Sequence, residues 1–377
     1  MHALTWRQVH ARRLAQHGLS PRWNAPEVAQ AATRTGGIQA QVMSAAELAL
    51  CARVAGLAPH DVRAALWQDR SLVKTWAMRG TLHLLAVSDL PLYVAARDFR
   101  TDSRAWANYF AYYGLTPEQQ HAFFAAVPQV LGRDPMTRQQ LAEALARHTG
   151  IAHLGDFILS SSWGSPLKPS AFRGDLCFGP NQGQQVTFVN PRAWFGDWEA
   201  IGPQVALQEI ARRYLQAYGP ATPDDFARWW GGGGQKVTAR KLFQSLHDEL
   251  DEVDVEGWRA FALRESLAAM QQFDPAETAI HLLPLFDAYT IGAPRDQEAL
   301  LASAHKGRVF RQQGWISAVV LVNGSIQGVW SHSARRAQTT VKVQLFSAPS
   351  AAVRKGIESE VERLAGLFKT SVVVEYE

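Results

Sequence analysis

Three times along this chain the residues spell a short helix, a glycine-rich turn, a second helix and then a pair of strands. That recurring order limits the folds open to it. The first passage runs from Pro26-Glu27-Val28 to Gly36-Gly37 and restarts as a helix at Ser44. A further helix is expected from about 58 to 76, and the passage ends in the alternating run Arg79-Gly80-Thr81-Leu82-His83-Leu84-Leu85. The second opens on Thr137-Arg138-Gln139-Gln140, a capping-box form, and its helix ends near Gly150. Strands over 176–178 and 186–189 follow, joined by a turn over 179–183. The third starts at Thr222-Pro223-Asp224-Asp225, halts at the glycines beginning with Gly231, and resumes as a helix over 238–250 that carries Arg240 and Lys241. A wing over 253–263 would turn at Glu256-Gly257. Helix, turn, helix, hairpin is the outline of a winged helix, a module that commonly handles DNA.

Beyond about residue 279 the pattern turns to strands. Asn323-Gly324, between Ala318-Val319-Val320-Leu321-Val322 and Ser325-Ile326-Gln327-Gly328-Val329-Trp330, is a strong hairpin signal. A polar tip over 331–338, a strand over 339–346, a helix over 351–368 and a strand over 371–376 complete the chain. The expected fold class is therefore α+β: about three tandem winged-helix modules plus a small C-terminal β-barrel or curved sheet with a terminal helix. The expected segments are 1–115, 116–200, 201–278 and 279–377.

Composition excludes several classes. Apolar residues make up 47% and charged residues 19%, a globular balance. No apolar run approaches the roughly 18 residues of a membrane span, and the N-terminus lacks the apolar stretch of an export signal. The 2 cysteines, Cys51 and Cys177, are far apart and show no metal-binding spacing. No metal or other cofactor is expected, and a cytoplasmic location is. Residues 1–150 hold 16 Lys/Arg against 10 Asp/Glu, whereas the remainder holds 22 against 24. Arginines number 30 of the 38 basic residues, which suits bidentate phosphate contacts; a GC-rich genome would produce the same bias.

The candidate catalytic residues are Gln39 and Gln41. Ser44-Ala45-Ala46-Glu47 has capping-box form, so the two glutamines fall in the lead-in to a helix. If that lead-in is extended, side chains two apart face the same way. Each amide offers donors and an acceptor oxygen without charge. Such a pair can orient water and aim carbonyl dipoles at a nascent cation, but it cannot act as a strong base. As a bare motif it reads first as two surface glutamines in a loop, and its company along the chain changes that reading.

Gly37-Ile38-Gln39-Ala40-Gln41, Ala77-Met78-Arg79-Gly80-Thr81-Leu82-His83, Leu282-Leu283-Pro284-Leu285-Phe286-Asp287-Ala288-Tyr289 and the 319–330 hairpin occur in an order that resembles the AlkZ family of bacterial DNA glycosylases. The resemblance extends over essentially the whole chain. It implies that Gln39-Ala40-Gln41 is the family's Gln-aliphatic-Gln catalytic element, in the branch with glutamine rather than aspartate at the second polar position. It also implies N7-alkylguanine substrates, including bulky adducts and interstrand crosslinks, a cleft that avoids full base flipping, and double-stranded DNA containing alkylated purines as partner. A metal-independent enzyme of the bacterial nucleoid is expected, with no membrane and no obligate protein partner.

Arg79, Thr81 and His83 would share one face of an extended strand, as a polar wall or phosphate contact or as an ordinary solvated face. His83 is the weaker candidate for a general base. Arg335 and Arg336, at the hairpin tip, are candidate DNA contacts. The alternative is a non-catalytic winged-helix transcriptional regulator, which would need a dimerisation seam that the sequence lacks. An unrelated hydrolase would need a G-x-S-x-G, a metal triad or a pair of catalytic carboxylates, and the sequence offers no such constellation.

Overall fold

The structure is a computed structural model. It describes residues 2–24, 27–97, 104–161, 164–231, 235–272, 278–335 and 338–377, excluding the side chains of 104–106, 272, 334 and 335. The chain packs as two compact units, one of residues 1–63 with 211–377 and one of residues 64–210. No described helix is long and apolar enough to cross a membrane.

The 64–210 unit holds two hairpins. Leu72–Trp76 pairs antiparallel with Leu82–Ala86. The β-branched and aromatic run Val73-Lys74-Thr75-Trp76 forms this strand where the pattern suggested the end of a long helix; the helix is only Pro59–Trp67. Further along, Thr137 and Gln140 close the expected capping box at the start of the helix Arg138–Thr149, which stops at Gly150 with φ 71°. The wing Cys177–Gln182 and Gln185–Val189 follows, with Met136–Thr137 at its edge. Its turn lies later than expected, at Gly183 with φ 62°. Gly179 instead lies in the strand, beside a register shift, where an added Cβ would sit 2.8 Å from the Thr187 hydroxyl. Phe110, Phe123 and Phe157 interlock in the core of this unit, and Phe188 packs with Trp76 and Phe178 in the same cluster.

In the other unit the third winged helix comprises Pro223–Gly231, Lys236–Ser245 and the wing Leu250–Val255 with Trp258–Leu263. The wing turns at Glu256-Gly257, both at positive φ (51° and 92°), as its residue types anticipate. Its free edge takes a third, parallel strand, His2–Leu4, and Glu256 accepts the Trp6 amide at the start of the helix Trp6–Gln16.

The C-terminal sheet has five strands in the order Ile280–Leu283, Val319–Val322, Ser325–Arg335, Gln338–Leu345 and Ser371–Tyr376. All pair antiparallel except the last. The helix Ala351–Phe368 packs Ile357, Val361 and Leu364 on Ile280, Leu282, Val320, Trp330 and Val341. Residues Leu283, Val319, Leu321 and Ile326 belong to a separate cluster with Leu14, Tyr289, Leu300 and Val309. The strand expected to stop at Trp330 continues to Arg335, so most of the polar tip is paired sheet.

Candidate catalytic loop and DNA-contact residues

The helix Val28–Arg34 ends in a double turn that launches the glutamine loop. The Gly36 amide donates to the Thr33 carbonyl (3.0 Å) and the Gly37 amide to the Ala32 carbonyl (2.8 Å), a Schellman arrangement. Both glycines are at positive φ, 67° and 94°, which only glycine adopts without strain. The Tyr218 hydroxyl donates to the Thr35 carbonyl at 2.7 Å in a buried position. Arg13, fully buried, in turn donates to the Tyr218 and Pro220 carbonyls at 2.9 Å each. The loop is therefore anchored at its root by a tyrosine that is itself fixed.

Gln39 ends the short strand Ile38–Gln39 and is 7% exposed, while Ile38 and Ala40 are buried beside it. Gln41 is exposed. The small Ala40 thus inserts into the core between one enclosed carboxamide and one open carboxamide. The helix that follows is Met43–Cys51, capped by Val42 without a side-chain bond. This corrects the expected capping box: Ser44 lies inside the first turn. The Glu47 carboxylate is turned away by Arg63, which binds it through two nitrogens at 2.7 and 2.9 Å.

Arg79, Thr81 and His83 do not form one open polar face. Residues Met78–Gly80 make a 3₁₀ turn with Arg79 at φ 55°, and the strand begins only at Leu82. The Thr81 hydroxyl closes that turn on the Met78 carbonyl at 3.1 Å. His83 is buried, and burial, with the Arg79 guanidinium adding to it, pushes its pKa down to about 3. Its Nδ1–H donates to the Thr81 carbonyl (3.0 Å), leaving Nε2 toward the Arg79 guanidinium at 3.5 Å. A histidine so held is neutral at physiological pH and too weakly basic to serve as a general base. Two cations that spacing did not reveal gather near the same turn. Arg97 donates to the Ala77 carbonyl and lies 4.3 Å over Phe172, with its pKa lowered to about 10 by burial. The Lys168 ammonium would lie 4.0 Å from a Cβ at Gly80.

Arg335 closes the ladder opposite Gln338, with its side chain outside the described residues; Arg336 lies outside them altogether.

The segment from Leu282 to Tyr289 serves as framework. Asp287 and Arg53, both with wholly buried side chains, form a bidentate pair at 2.8 Å and 2.8 Å. Asp287 also accepts the Tyr289 amide at the start of the helix Ala288–Gly292. Tyr214 donates to the Gly292 carbonyl at 3.1 Å, and a Cβ at Gly292 would overlap the Tyr218 ring at 2.1 Å. The tyrosine that anchors the glutamine loop therefore requires glycine at position 292.

A family described as DNA glycosylase AlkZ-like matches residues 32–367. The chain belongs to the AlkZ-like DNA glycosylase family. It is 40% identical over 329 residues to an interstrand DNA cross-link repair glycosylase of Streptomyces sahachiroi, covering 86% of this chain and 87% of that protein. Among solved structures it is similar to the Streptomyces sahachiroi DNA glycosylase AlkZ, with a TM-score of 0.87, 36% identity and all of both chains covered. As an AlkZ-like glycosylase it acts on DNA, and the α+β winged-helix architecture is shared with that structure.

Acid sensitivity follows from the buried histidines of this AlkZ-like chain. Burial lowers His10 and His83 to about 3 and His281 to about 4. The unfolded chain takes up protons near pH 6.5 whereas the folded one does not, so stability is full above about pH 6.5 and falls as pH drops toward about 4. Each such histidine removes up to about 1.4 kcal/mol per pH unit in that window. Urea midpoints at about pH 7.5 and pH 5 should differ accordingly, and His281→Gln should flatten the slope. Equal slopes for variant and parent would contradict the assignment of His281.

Proposed function

We propose that this enzyme is a monofunctional glycosylase that hydrolyses the N-glycosidic bond of cationic N7-alkylated guanine, with Gln39 and Gln41 as its catalytic residues. The reading rests on one observation above others: Gln39-Ala40-Gln41 sits on a loop rooted by the Schellman turn and Tyr218, with Gln41 open to solvent. Alkylation at N7 leaves the base positively charged, so it departs as a neutral molecule when the C1′–N9 electron pair goes to the ring. No general acid is needed. The sugar left behind has oxocarbenium character. Carbonyl oxygens of the two carboxamides stabilise it and accept hydrogen bonds from the attacking water. Once the water oxygen has bonded to C1′, its proton is acidic and passes to solvent, so a strong base is unnecessary.

The crosslink-repair relative extends this proposal to bulky adducts and interstrand crosslinks in duplex DNA. A tethered base cannot swing fully out of the helix, and selectivity that relies on a charged, weakened bond does not require it to. Family membership speaks against the transcriptional-regulator alternative. The test incubates the protein with duplex DNA carrying N7-methylguanine, then cuts abasic sites with alkali. Strand scission well above the no-enzyme control is expected, with none for unmodified guanine. Because neutral amides do the work and His83 is already neutral, the excision rate should vary little between about pH 6 and 8.5. A steep titration limb in that range would overturn the glutamine mechanism; absence of scission on both simple and crosslinked adducts would overturn the substrate.

A further inference from the structure

One surface element outside the glutamine loop combines an open aromatic ring with unneutralised charge. The helical turns Ser303–His305 and Lys306–Val309 lead into a closed turn in which Phe310 bridges Ile316. The Arg311 amide donates to the Trp315 carbonyl at 2.8 Å, and Gln313 and Gly314 bend the tip at φ 56° and 76°. Trp315 is 44% exposed, the one tryptophan among the described residues left so open. Its ring packs on Phe286 at a centroid distance of 5.2 Å, and the Phe286 amide donates to the Ile316 carbonyl at 3.3 Å. The indole is thus braced on one side and available on the other, so little ordering cost remains to be met on binding.

Charge singles out the same region. From residue 299 to residue 357 the chain carries 8 Lys/Arg and no Asp or Glu. This acid-free run is a sharper charge asymmetry than the N-terminal surplus of 16 Lys/Arg over 10 Asp/Glu. Lys306 is tied to Asp296 and Arg308 lies 4.9 Å over Phe346, whereas Arg311 is exposed and forms no ion pair among the described residues. A rigid aromatic ring beside a free guanidinium and two carboxamides, Gln312 and Gln313, is the equipment for meeting bases and phosphates together.

We propose that the Arg311–Trp315 turn is a DNA-contact element of this glycosylase: Trp315 stacks on or wedges against a base step while Arg311 engages a backbone phosphate. The proposal builds on the reading of the enzyme as acting on damaged duplex DNA. Phe286 directly precedes Asp287 and the Ala288–Gly292 helix that holds Tyr218, so the tip and the glutamine loop share one framework.

Fluorescence anisotropy with a labelled duplex, undamaged or bearing one N7-methylguanine, tests it alongside excision assays. Trp315→Ala should weaken binding by about tenfold, and Trp315→Phe should restore most of the loss. Arg311→Gln, a change at an exposed side chain, should weaken binding about threefold and lower the salt slope by about one. Thermal melting should be unchanged for Arg311→Gln. If Trp315→Ala and Arg311→Gln both bind within about twofold of the parent while the parent excises the lesion, the turn is no DNA contact and the glycosylase reading stands. If the parent excises nothing yet Trp315→Ala loses affinity, the contact stands and the proposed substrate falls.

Discussion

Gln39→Ala and Gln41→Ala are each expected to lower single-turnover excision of N7-methylguanine by about 10²- to 10³-fold, the scale of removing one preorganised electrostatic group from an active site. Affinity for the duplex should change little, because neither amide carries charge to a phosphate. The two positions differ in what else a substitution does. Gln41 is exposed, so its truncation leaves the core intact. Gln39 is only 7% exposed beside Ile38 and Ala40, so Gln39→Ala also opens a small space, and its melting temperature must be recorded with its rate. The decisive variant is the double one. If both carboxamides hold one water and one sugar cation, losing the second costs scarcely more than losing the first. Independent, multiplying losses would mean that they serve separate steps, and parental rates for both single variants would remove them from catalysis.

Individual caps and turns were legible because local chemistry writes them. Thr137 with Gln140, Gly150 after the helix, Asn323-Gly324 and Glu256-Gly257 each specify a backbone geometry that few other residues adopt. Long-range pairing was not legible. Nothing in His2-Ala3-Leu4 announces that it will add a strand to Leu250–Val255, and that contact helps bring the N-terminal residues into one unit with 211–377. Burial was equally hidden. The alternation from Arg79 to Leu85 looks like a half-solvated strand, but Arg79 sits at positive φ in a turn, and both faces of the strand Leu82–Ala86 are covered, His83 included. Ser44-Ala45-Ala46-Glu47 misled for a related reason. A capping box depends on where the glutamate is drawn, and Arg63, sixteen residues on, wins it.

The motif around Asp287 carries the second large expectation, one of stability. Asp287→Ala is expected to destabilise the protein by about 3–5 kcal/mol, because it leaves the Arg53 guanidinium buried without its counter-charge. Both side chains are 0% exposed, and the bonds to the two carboxylate oxygens are 2.8 Å each. What remains to Arg53 is the Ala49 carbonyl at 2.7 Å and a 3.4 Å approach to His17 Nδ1, neither of which neutralises it. The same substitution removes the acceptor for the Tyr289 amide, loosening the helix whose Gly292 admits the Tyr218 ring. Stability and catalysis should therefore fall together, the melting temperature by roughly 5 °C and excision through slackening of the loop that Tyr218 roots. Replacing both partners with apolar residues, Arg53→Met with Asp287→Leu, separates the two effects: removing the stranded charge should recover much of the melting temperature, while the lost cap leaves excision impaired. A melting temperature for Asp287→Ala equal to the parent's would mean that water reaches Arg53 and that the pair is not the brace inferred for it.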